Sequence, residues 1–134
     1  MYNEIRADGS SRMVGGVWDL SLSDRLREWN ALNQTATSKG ISEEFLLSIL
    51  NKLNDAGQLL VKKQLDYGPT NISRAPGGPM NGLRVRMHDK IARINNLLDK
   101  GVDPENESLQ DSFIDLLNYS VIALMVLDNT WPND

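Results

Sequence analysis

The stretch DSFIDLLNYSVIALMVL, residues 111–127, decides the fold, because its length and apolar content are typical of a helix in a protein interior. Asp111, Asp115 and Asn118 interrupt the apolar side chains of this helix. Burying an unpaired carboxylate costs several kcal/mol even after the protein relaxes. We therefore expect these polar groups to meet basic side chains, a bound cation or water in a cleft.

The composition of the chain suits a single domain with one hydrophobic core. The 134 residues are 40% hydrophobic, which is enough to close a core without disulfides or metal ions. Cysteine is absent, so the sequence excludes disulfides, thiol nucleophiles and metal sites built on thiolates. His88 is the one histidine, which excludes metal sites that need several histidines.

Charge and hydropathy argue against two classes of partner. The net charge of -4 argues against a protein that coats duplex nucleic acid. The longest apolar run, VIALMVL, has seven residues, whereas a membrane-spanning helix needs about 20. The first sixteen residues contain acidic side chains and lack the apolar segment of a secretory signal. We therefore expect a cytoplasmic protein with no membrane partner.

The pattern along the chain predicts an all-α fold. Residues 1–20 contain three glycines and show no periodicity, so we expect a flexible N-terminal arm. Residues 21–134 are predicted to form a single helical domain, a bundle of about four helices. The predicted helices cover residues 21–34, 41–65, 83–98 and 108–127.

Capping residues mark the boundaries of the predicted helices. Ser42 is a good N-cap for the second helix, and Gly101 is suited to end the third. The fourth helix can begin either at Ser108 or at the pair Asp103 and Pro104. These residues predict where each helix begins and ends.

The segment YGPTNISRAPGGPMNG, residues 67–82, is predicted to be a long loop between the second and third helices. It has three prolines and four glycines in sixteen residues, a density that regular structure does not tolerate. Loops of this length are more often functional than decorative. We expect Tyr67 to stack on a base and Arg74 to bind a phosphate.

A line of polar side chains runs along the last predicted helix. Glu107, Asp111, Asp115 and Asn118 are spaced four, four and three residues apart, which places them on one face. Two carboxylates four residues apart can share a hard cation such as Mg²⁺. For Glu107, stabilisation by the helix N-terminus is a sufficient explanation. Asp115 lies too far into the helix for that effect, so it indicates a ligand site or a buried ion pair.

The third predicted helix carries the complementary charges. Arg86, Lys90 and Arg93 are spaced four and three residues apart and form a basic ridge, with Asp89 beside it. The ridge has three interpretations: a solvated charged face, a salt-bridge seam against the acids of the last helix, or a phosphate-binding surface beside a bound metal. We interpret His88 as a packed or surface residue rather than a general base.

Three segments of the C-terminal half resemble a known family. KKQLDYGPTNI, GLRVRMHDKIARINNLL and ESLQDSFIDLLNYSVIALMVL carry the elements DYG, DK-x-x-R and E-x-x-x-D-x-x-x-D-x-x-x-Y. These elements resemble the phage and bacterial family called nucleotide modification associated domain 1, and the resemblance covers residues 61–127. It implies a phage-type protein of nucleotide metabolism that binds a small phosphorylated nucleotide.

The layout is also similar to the all-α MazG-like nucleotide pyrophosphohydrolases, in which acids on two adjacent helices hold Mg²⁺ around a nucleoside triphosphate. By position, Asp111 and Asp115 match the second acidic motif of that group. The first motif, E-E-x-x-E, is absent, because Glu43 and Glu44 are followed by apolar residues and only Asp89 could replace it. The similarity implies that Asp89, Asp111 and Asp115 are the catalytic residues and the ligands of Mg²⁺.

The residues and the resemblance favour a metal-dependent hydrolase that cuts a phosphoanhydride bond of a nucleotide. Mg²⁺ would polarise the phosphate and activate a water molecule for attack. The alternative is a non-catalytic nucleotide sponge that sequesters a signalling nucleotide of host immunity. A third interpretation is an oligomeric scaffold with a structural ion-pair seam, and we expect a homo-oligomer. The predicted ligand-binding residues are Arg86, Lys90, Arg93, Tyr67, Arg74 and Asn118.

Overall fold

The computed structural model describes residues 2–5, 11–14, 21–101 and 103–134 of the chain. The chain divides into two compact units, Met1–Lys52 (unit 1) and Leu53–Asp134 (unit 2). The boundary predicted at residue 20 lies outside the described residues, and the predicted arm is described only in part.

Unit 1 begins with two short strands. β1 (Tyr2–Ile5) and β2 (Ser11–Val14) pair antiparallel, with Tyr2 opposite Val14 and Ile5 opposite Ser11. These strands differ from the predicted irregular arm, because a four-residue strand is too short to show an alternating pattern in the sequence. The predicted all-α class holds for the other described elements, all of which are helices.

α1 (Leu22–Ser38) follows and begins with a capping box. The Ser21 hydroxyl accepts a hydrogen bond from the N–H of Asp24 at 3.1 Å. The Asp24 carboxylate in turn accepts one from the N–H of Ser21 at 3.2 Å. This reciprocal pair satisfies N–H groups that the first helical turn leaves without partners, and it fixes where the helix begins.

α2 (Glu43–Tyr67) begins in unit 1 and ends in unit 2. The Ser42 hydroxyl accepts a hydrogen bond from the N–H of Phe45 at 3.2 Å, which confirms the predicted N-cap. Glu43 and Glu44 lie in the first turn, where the helix dipole favours negative charge.

The segment predicted to be a long irregular loop contains helical structure. α3 (Thr70–Ser73) forms a single turn inside it, and α4 (Pro79–Lys100) includes the last four residues of the segment, 79–82. Pro79 can start α4 because the first helical residue needs no N–H partner. Gly78 precedes it with φ 93°, a left-handed conformation that glycine adopts without steric cost.

α4 and α5 (Leu109–Leu127) form the helical hairpin of unit 2. Gly101 ends α4 in the left-handed conformation, and its N–H donates to the carbonyl of Leu97 at 3.1 Å, as its predicted role as a helix terminator requires. Ser108 is the N-cap of α5, which decides between the two predicted starts. Local sequence chemistry therefore sets both ends of the connection.

The core of unit 2 is small. Ile72, Leu83 and Ile122 are buried together, and Leu83 lies early in α4 whereas Ile122 lies late in α5, so the two helices run antiparallel. The partly buried side chains packed against this cluster are Leu60, Tyr119, Ala123, Val126 and Trp131.

Several apolar side chains of unit 2 remain exposed. Leu98 of α4 is 60% exposed, and Leu124 of α5 is 62% exposed. A hairpin with one further helix has too few surfaces to cover every apolar stripe. The predicted homo-oligomer would offer such cover and stays a prediction. By length and composition alone, α5 is long and apolar enough to cross a membrane, a property that it shares with core helices of soluble proteins.

Candidate functional site

Unit 2 encloses a cavity of about 240 Å³ between α2, α3, α4, α5 and the C-terminal tail. The lining combines aromatic rings, amides, charged groups and aliphatic side chains. The aromatic residues are Tyr67, Tyr119 and Trp131, and the amides are Gln64, Asn71 and Asn118. The charged residues are Lys63, Arg86 and Asp115, and the aliphatic residues are Leu60, Ile72 and Ile122.

Asp115 is a polar residue within the apolar helix α5, and its carboxylate has two basic partners. Its side chain is only 10% exposed, and each carboxylate oxygen meets a lysine. Oδ1 lies 2.9 Å from the Nζ of Lys63 on α2, and Oδ2 lies 2.8 Å from the Nζ of Lys90 on α4. The carboxylate thus connects three helices through two ion pairs.

The ion pairs keep both Asp115 and Lys90 charged. Burial acts to raise the pKa of Asp115, but the hydrogen bonds and positive charges of Lys90 and Lys63 outweigh it, so the pKa lies below its usual value. Burial also acts to lower the pKa of Lys90, whereas Asp115 and Glu107 together raise it above its usual value. Asp115 and Lys90 are therefore both ionised at neutral pH.

Arg93 holds the start of α5. Its guanidinium donates to the carbonyl oxygens of Glu107 and Ser108, the latter at 3.3 Å, and to the hydroxyl of Ser112 at 2.6 Å. Ser112 is fully buried, so Arg93 supplies the partner that its hydroxyl requires. Glu107 also accepts from Lys90 at 2.9 Å. Of the predicted basic ridge, Lys90 and Arg93 therefore form the salt-bridge seam.

The three acids predicted to bind Mg²⁺ do not form a metal site in this structure. The Asp111 carboxylate accepts from the N–H of Ser108 at 3.1 Å and so completes the capping box of α5. Asp89 is exposed on α4, and Asp115 is paired with two lysines. Among the described residues, no group of three acids or histidines could hold a metal ion. A role for Mg²⁺ stays a prediction, without a fitting set of ligands.

Two amides in the cavity wall contain buried polar atoms that have no hydrogen-bond partner within the described part of the chain. These atoms are Nδ2 of Asn118 on α5 and Oδ1 of Asn71 on α3. The residue Asn118 is only 5% exposed. Arg86 donates to the backbone carbonyl of Asn71 in a long hydrogen bond of 3.3 Å. Buried polar atoms of the cavity wall therefore lack hydrogen-bond partners among the residues described, whereas both carboxylate oxygens of Asp115 have them in the neighbouring ion-pair cluster of Asp115, Lys63 and Lys90.

The C-terminal tail closes one side of the cavity. The indole N–H of Trp131 donates to the carbonyl of Pro69 at 3.1 Å, and the Ser73 hydroxyl donates to the carbonyl of Asn133 at 2.9 Å. Arg74 pairs with Asp134 at 2.6 Å in a solvent-exposed position. The predicted phosphate ligand Arg74 thus binds the tail and does not line the cavity.

Of the predicted site residues, the structure brings four to the cavity: Tyr67, Arg86, Asp115 and Asn118. Sequence reasoning missed Lys63, Gln64, Asn71, Tyr119 and Trp131. Lys63 lies four residues before Tyr67 and shares its face of α2, but the predicted helix ended at residue 65, so this relation was not available from the sequence. His88 is exposed on α4, in agreement with its interpretation as a surface residue.

Residues 63–127 match the family model described as nucleotide modification associated domain 1. The match covers 65 of the 134 residues and supports the resemblance to that family. It includes every residue of the cavity lining except Leu60 and Trp131. No curated protein and no solved structure gives a significant match to the chain. The MazG-like layout stays a prediction.

Proposed function

We propose that unit 2 binds a small phosphorylated nucleotide in the cavity between its helices. The observation that carries the proposal is the lining, in which aromatic faces, amides and cations converge, and all of its residues except Leu60 and Trp131 lie in the segment that matches a family model described as nucleotide modification associated. Small-molecule sites are usually concave, mostly apolar and supplied with a few placed polar groups. This cavity has that composition.

Each part of the lining suits a different part of a nucleotide. The rings of Tyr67, Tyr119 and Trp131 offer surfaces on which a base can stack. Arg86 supplies positive charge for phosphate oxygens, whereas the charge of Lys63 is shared with the Asp115 carboxylate. The volume of about 240 Å³ lies below the roughly 300–1,000 Å³ of common ligand sites, so the cavity suits one base with part of its sugar. The phosphates would extend toward solvent.

The geometry favours binding over hydrolysis. A metal-assisted hydrolase needs carboxylate oxygens that are free to hold the ion. Both oxygens of Asp115 bind lysines, and Asp111 caps a helix. Hydrolysis through Asp115 would require Lys63 and Lys90 to move away. We therefore favour the nucleotide sponge over the hydrolase, and the ligand would be held by stacking and cationic contacts.

The experiment that tests the proposal measures both binding and turnover. The purified protein is incubated with nucleoside triphosphates and cyclic dinucleotides, with and without Mg²⁺, and the nucleotides are analysed before and after heat denaturation. We expect a nucleotide that is recovered intact only after denaturation. Turnover that is abolished by EDTA and by Asp115→Asn would instead establish a hydrolase. Absence of both would leave the scaffold interpretation.

A matched pair of variants locates the phosphate contact. Arg86→Gln and Arg84→Gln remove the same charge from the same helix, but only Arg86 lines the cavity. Arg84 is exposed and donates to Asn81 at 2.6 Å. We expect Arg86→Gln to weaken nucleotide binding by about tenfold, as the loss of a charge-assisted hydrogen bond should, and Arg84→Gln to leave it unchanged. Equal effects would contradict binding in this cavity.

A further inference from the structure

We infer that the ligand enters the cavity base first, and that Asn118 and Asn71 select the base by hydrogen bonds to its edge. The inference rests on the proposed nucleotide binding and names the class of ligand more narrowly. It assigns the inner wall to an uncharged heterocycle of a mononucleotide, and the phosphates to the exposed side.

Two amide atoms in the cavity wall are unpaired within the part of the chain that the structure describes. Nδ2 of Asn118 and Oδ1 of Asn71 are buried and have no hydrogen-bond partner among the described residues. A buried polar atom without a partner is unfavourable, so two such atoms beside one cavity call for an explanation. The terminal torsion of an asparagine is soft, so a small rotation turns either amide toward a ligand. A ligand that pairs with both amides recovers this cost.

The two amides differ in the hydrogen-bonding atom that the described structure leaves unpaired, a donor in Asn118 and an acceptor in Asn71. Each asparagine side chain has both a donor and an acceptor, and together they require a ligand with both kinds of group. The edge of a nucleobase offers N–H donors beside carbonyl or ring-nitrogen acceptors. A phosphate offers oxygens that only accept, so it leaves the acceptor of Asn71 without a partner. The amide wall therefore favours a base over a phosphate.

The charged groups beside Asn118 are already paired with one another. Asp115 lies three residues before Asn118 on α5, so the two side chains share a face of the helix. The carboxylate already binds Lys63 and Lys90. Near Asn118, the positive charge is therefore neutralised, and a phosphate would meet a carboxylate. Tyr67 is 66% exposed and marks the open side of the cavity, where phosphates remain hydrated.

The test is a binding series by calorimetry with the full-length protein. We expect nucleosides, which have no phosphate, to bind and to follow the same order of base preference as the corresponding triphosphates. Ribose 5-phosphate and tripolyphosphate should not displace them. Asn118→Asp replaces the amide donor by an oxygen, so we expect the order of base preference to change, with a loss of about tenfold for bases that present an acceptor there.

Two further variants control the test, and thermal denaturation shows whether each variant is folded. Asn96→Asp introduces the same change at an exposed position of α4 and should leave the base order unchanged. Asn71→Leu removes the second amide from α3, where burial is only partial, and should weaken nucleoside binding by about tenfold while tripolyphosphate binding stays as it was.

The outcomes separate this inference from the proposed function. If triphosphates bind but nucleosides do not, or if Asn118→Asp and Asn71→Leu weaken all bases equally, base-first recognition is wrong and nucleotide binding stands. If no nucleotide binds, the proposed function itself is wrong. A changed base order with unchanged tripolyphosphate binding supports the inference.

Discussion

Two neighbouring regions of unit 2 use polar groups in opposite ways. In the ion-pair cluster, each oxygen of Asp115 meets a lysine and Arg93 serves the buried hydroxyl of Ser112. In the amide wall of the cavity, Asn118 and Asn71 keep buried atoms without partners in the described structure. Paired charges stabilise a fold, whereas unpaired neutral groups keep capacity for a ligand. The charges of Asp115, Lys63 and Lys90 are thus paired within unit 2, whereas the two amides are the groups that we propose for ligand recognition.

The largest expected effect comes from breaking the cluster at Asp115. Asp115→Asn keeps the size of the side chain but leaves Lys63 and Lys90 without their shared carboxylate. We expect the free energy of unfolding to fall by roughly 2–3 kcal/mol, less than for a sealed pair because Lys63 is partly solvated. Urea denaturation measures this change. Asp89→Asn, at an exposed position of α4, is the control and should change stability little. A stable Asp115→Asn protein would contradict a structural role for the cluster.

The ion pair between Asp115 and Lys90 also predicts how the stability of the protein depends on pH. The pKa of Asp115 is lower in the folded protein than in the unfolded chain, where it is near 3.9 as a rough reference. Its contribution is therefore complete above about pH 4 and is lost as the pH falls through the folded-state value. The pKa of Lys90 is raised, so its contribution is lost only as the pH rises beyond about 10.4.

Denaturation at a series of pH values checks this prediction. The acid loss of stability should be smaller in Asp115→Asn than in the wild-type protein, because the titrating carboxylate is gone. The two proteins should differ by a constant amount between about pH 5 and pH 9. A difference that varies through this neutral range would mean that another group controls the ion pair.

Replacing Arg93 should have an intermediate effect on stability. Arg93→Ala removes the donors to the carbonyls of Glu107 and Ser108 and leaves the buried hydroxyl of Ser112 unpaired. We expect a loss of about 1–2 kcal/mol with nucleotide affinity unchanged, since Arg93 does not line the cavity. Arg84→Ala, on the exposed face of α4, is the matched control. Loss of binding in a folded Arg93→Ala protein would restore the predicted role of Arg93 as a ligand.

Replacing Asn118 should change stability in the opposite direction. Asn118→Leu keeps the branching of the side chain at Cγ and removes the unpaired amide from the cavity wall. We expect the ligand-free protein to gain about 1 kcal/mol of stability and to lose nucleotide binding. Thermal denaturation and calorimetry on the same sample measure both effects. A destabilised variant would mean that Asn118 contributes to the fold as Asp115 does, and the contrast between the two regions would fail.

The sequence predicted this contrast only in part. Helix periodicity and capping signals placed α2, α4 and α5, and spacing along α5 indicated that Asp115 needs a basic partner. Local rules also explain the capping box that Asp111 completes at the start of α5, whereas its role as a metal ligand stays a prediction. The second partner, Lys63, lies 52 residues from Asp115 and is brought close only by tertiary packing. Spacing along one helix carries no information about such a contact.

The amide wall was also hidden from sequence reasoning for a physical reason. Asn71 lies in α3, a four-residue helix inside a segment whose proline and glycine content predicts irregular structure. Trp131 reaches the cavity through a hydrogen bond to Pro69 across 62 residues. Tertiary contacts in unit 2 decide both placements, so only Asn118, on the face of a predicted helix, could be named beforehand.

The smallest expected effect concerns Arg74, which the sequence analysis named as a phosphate ligand. Arg74 pairs with Asp134 at 2.6 Å, but both side chains are mostly exposed, and exposed ion pairs contribute little because water and salt screen them. We expect Arg74→Ala to change the free energy of unfolding by less than about 0.5 kcal/mol and nucleotide affinity by less than about twofold. Arg86→Ala in the same calorimetric series supplies the contrast, since Arg86 lines the cavity and donates to Asn71. If Arg74→Ala lost as much affinity as Arg86→Ala, the tail would release Arg74 when ligand binds, and the phosphate site would extend beyond the cavity to the first turn after α3.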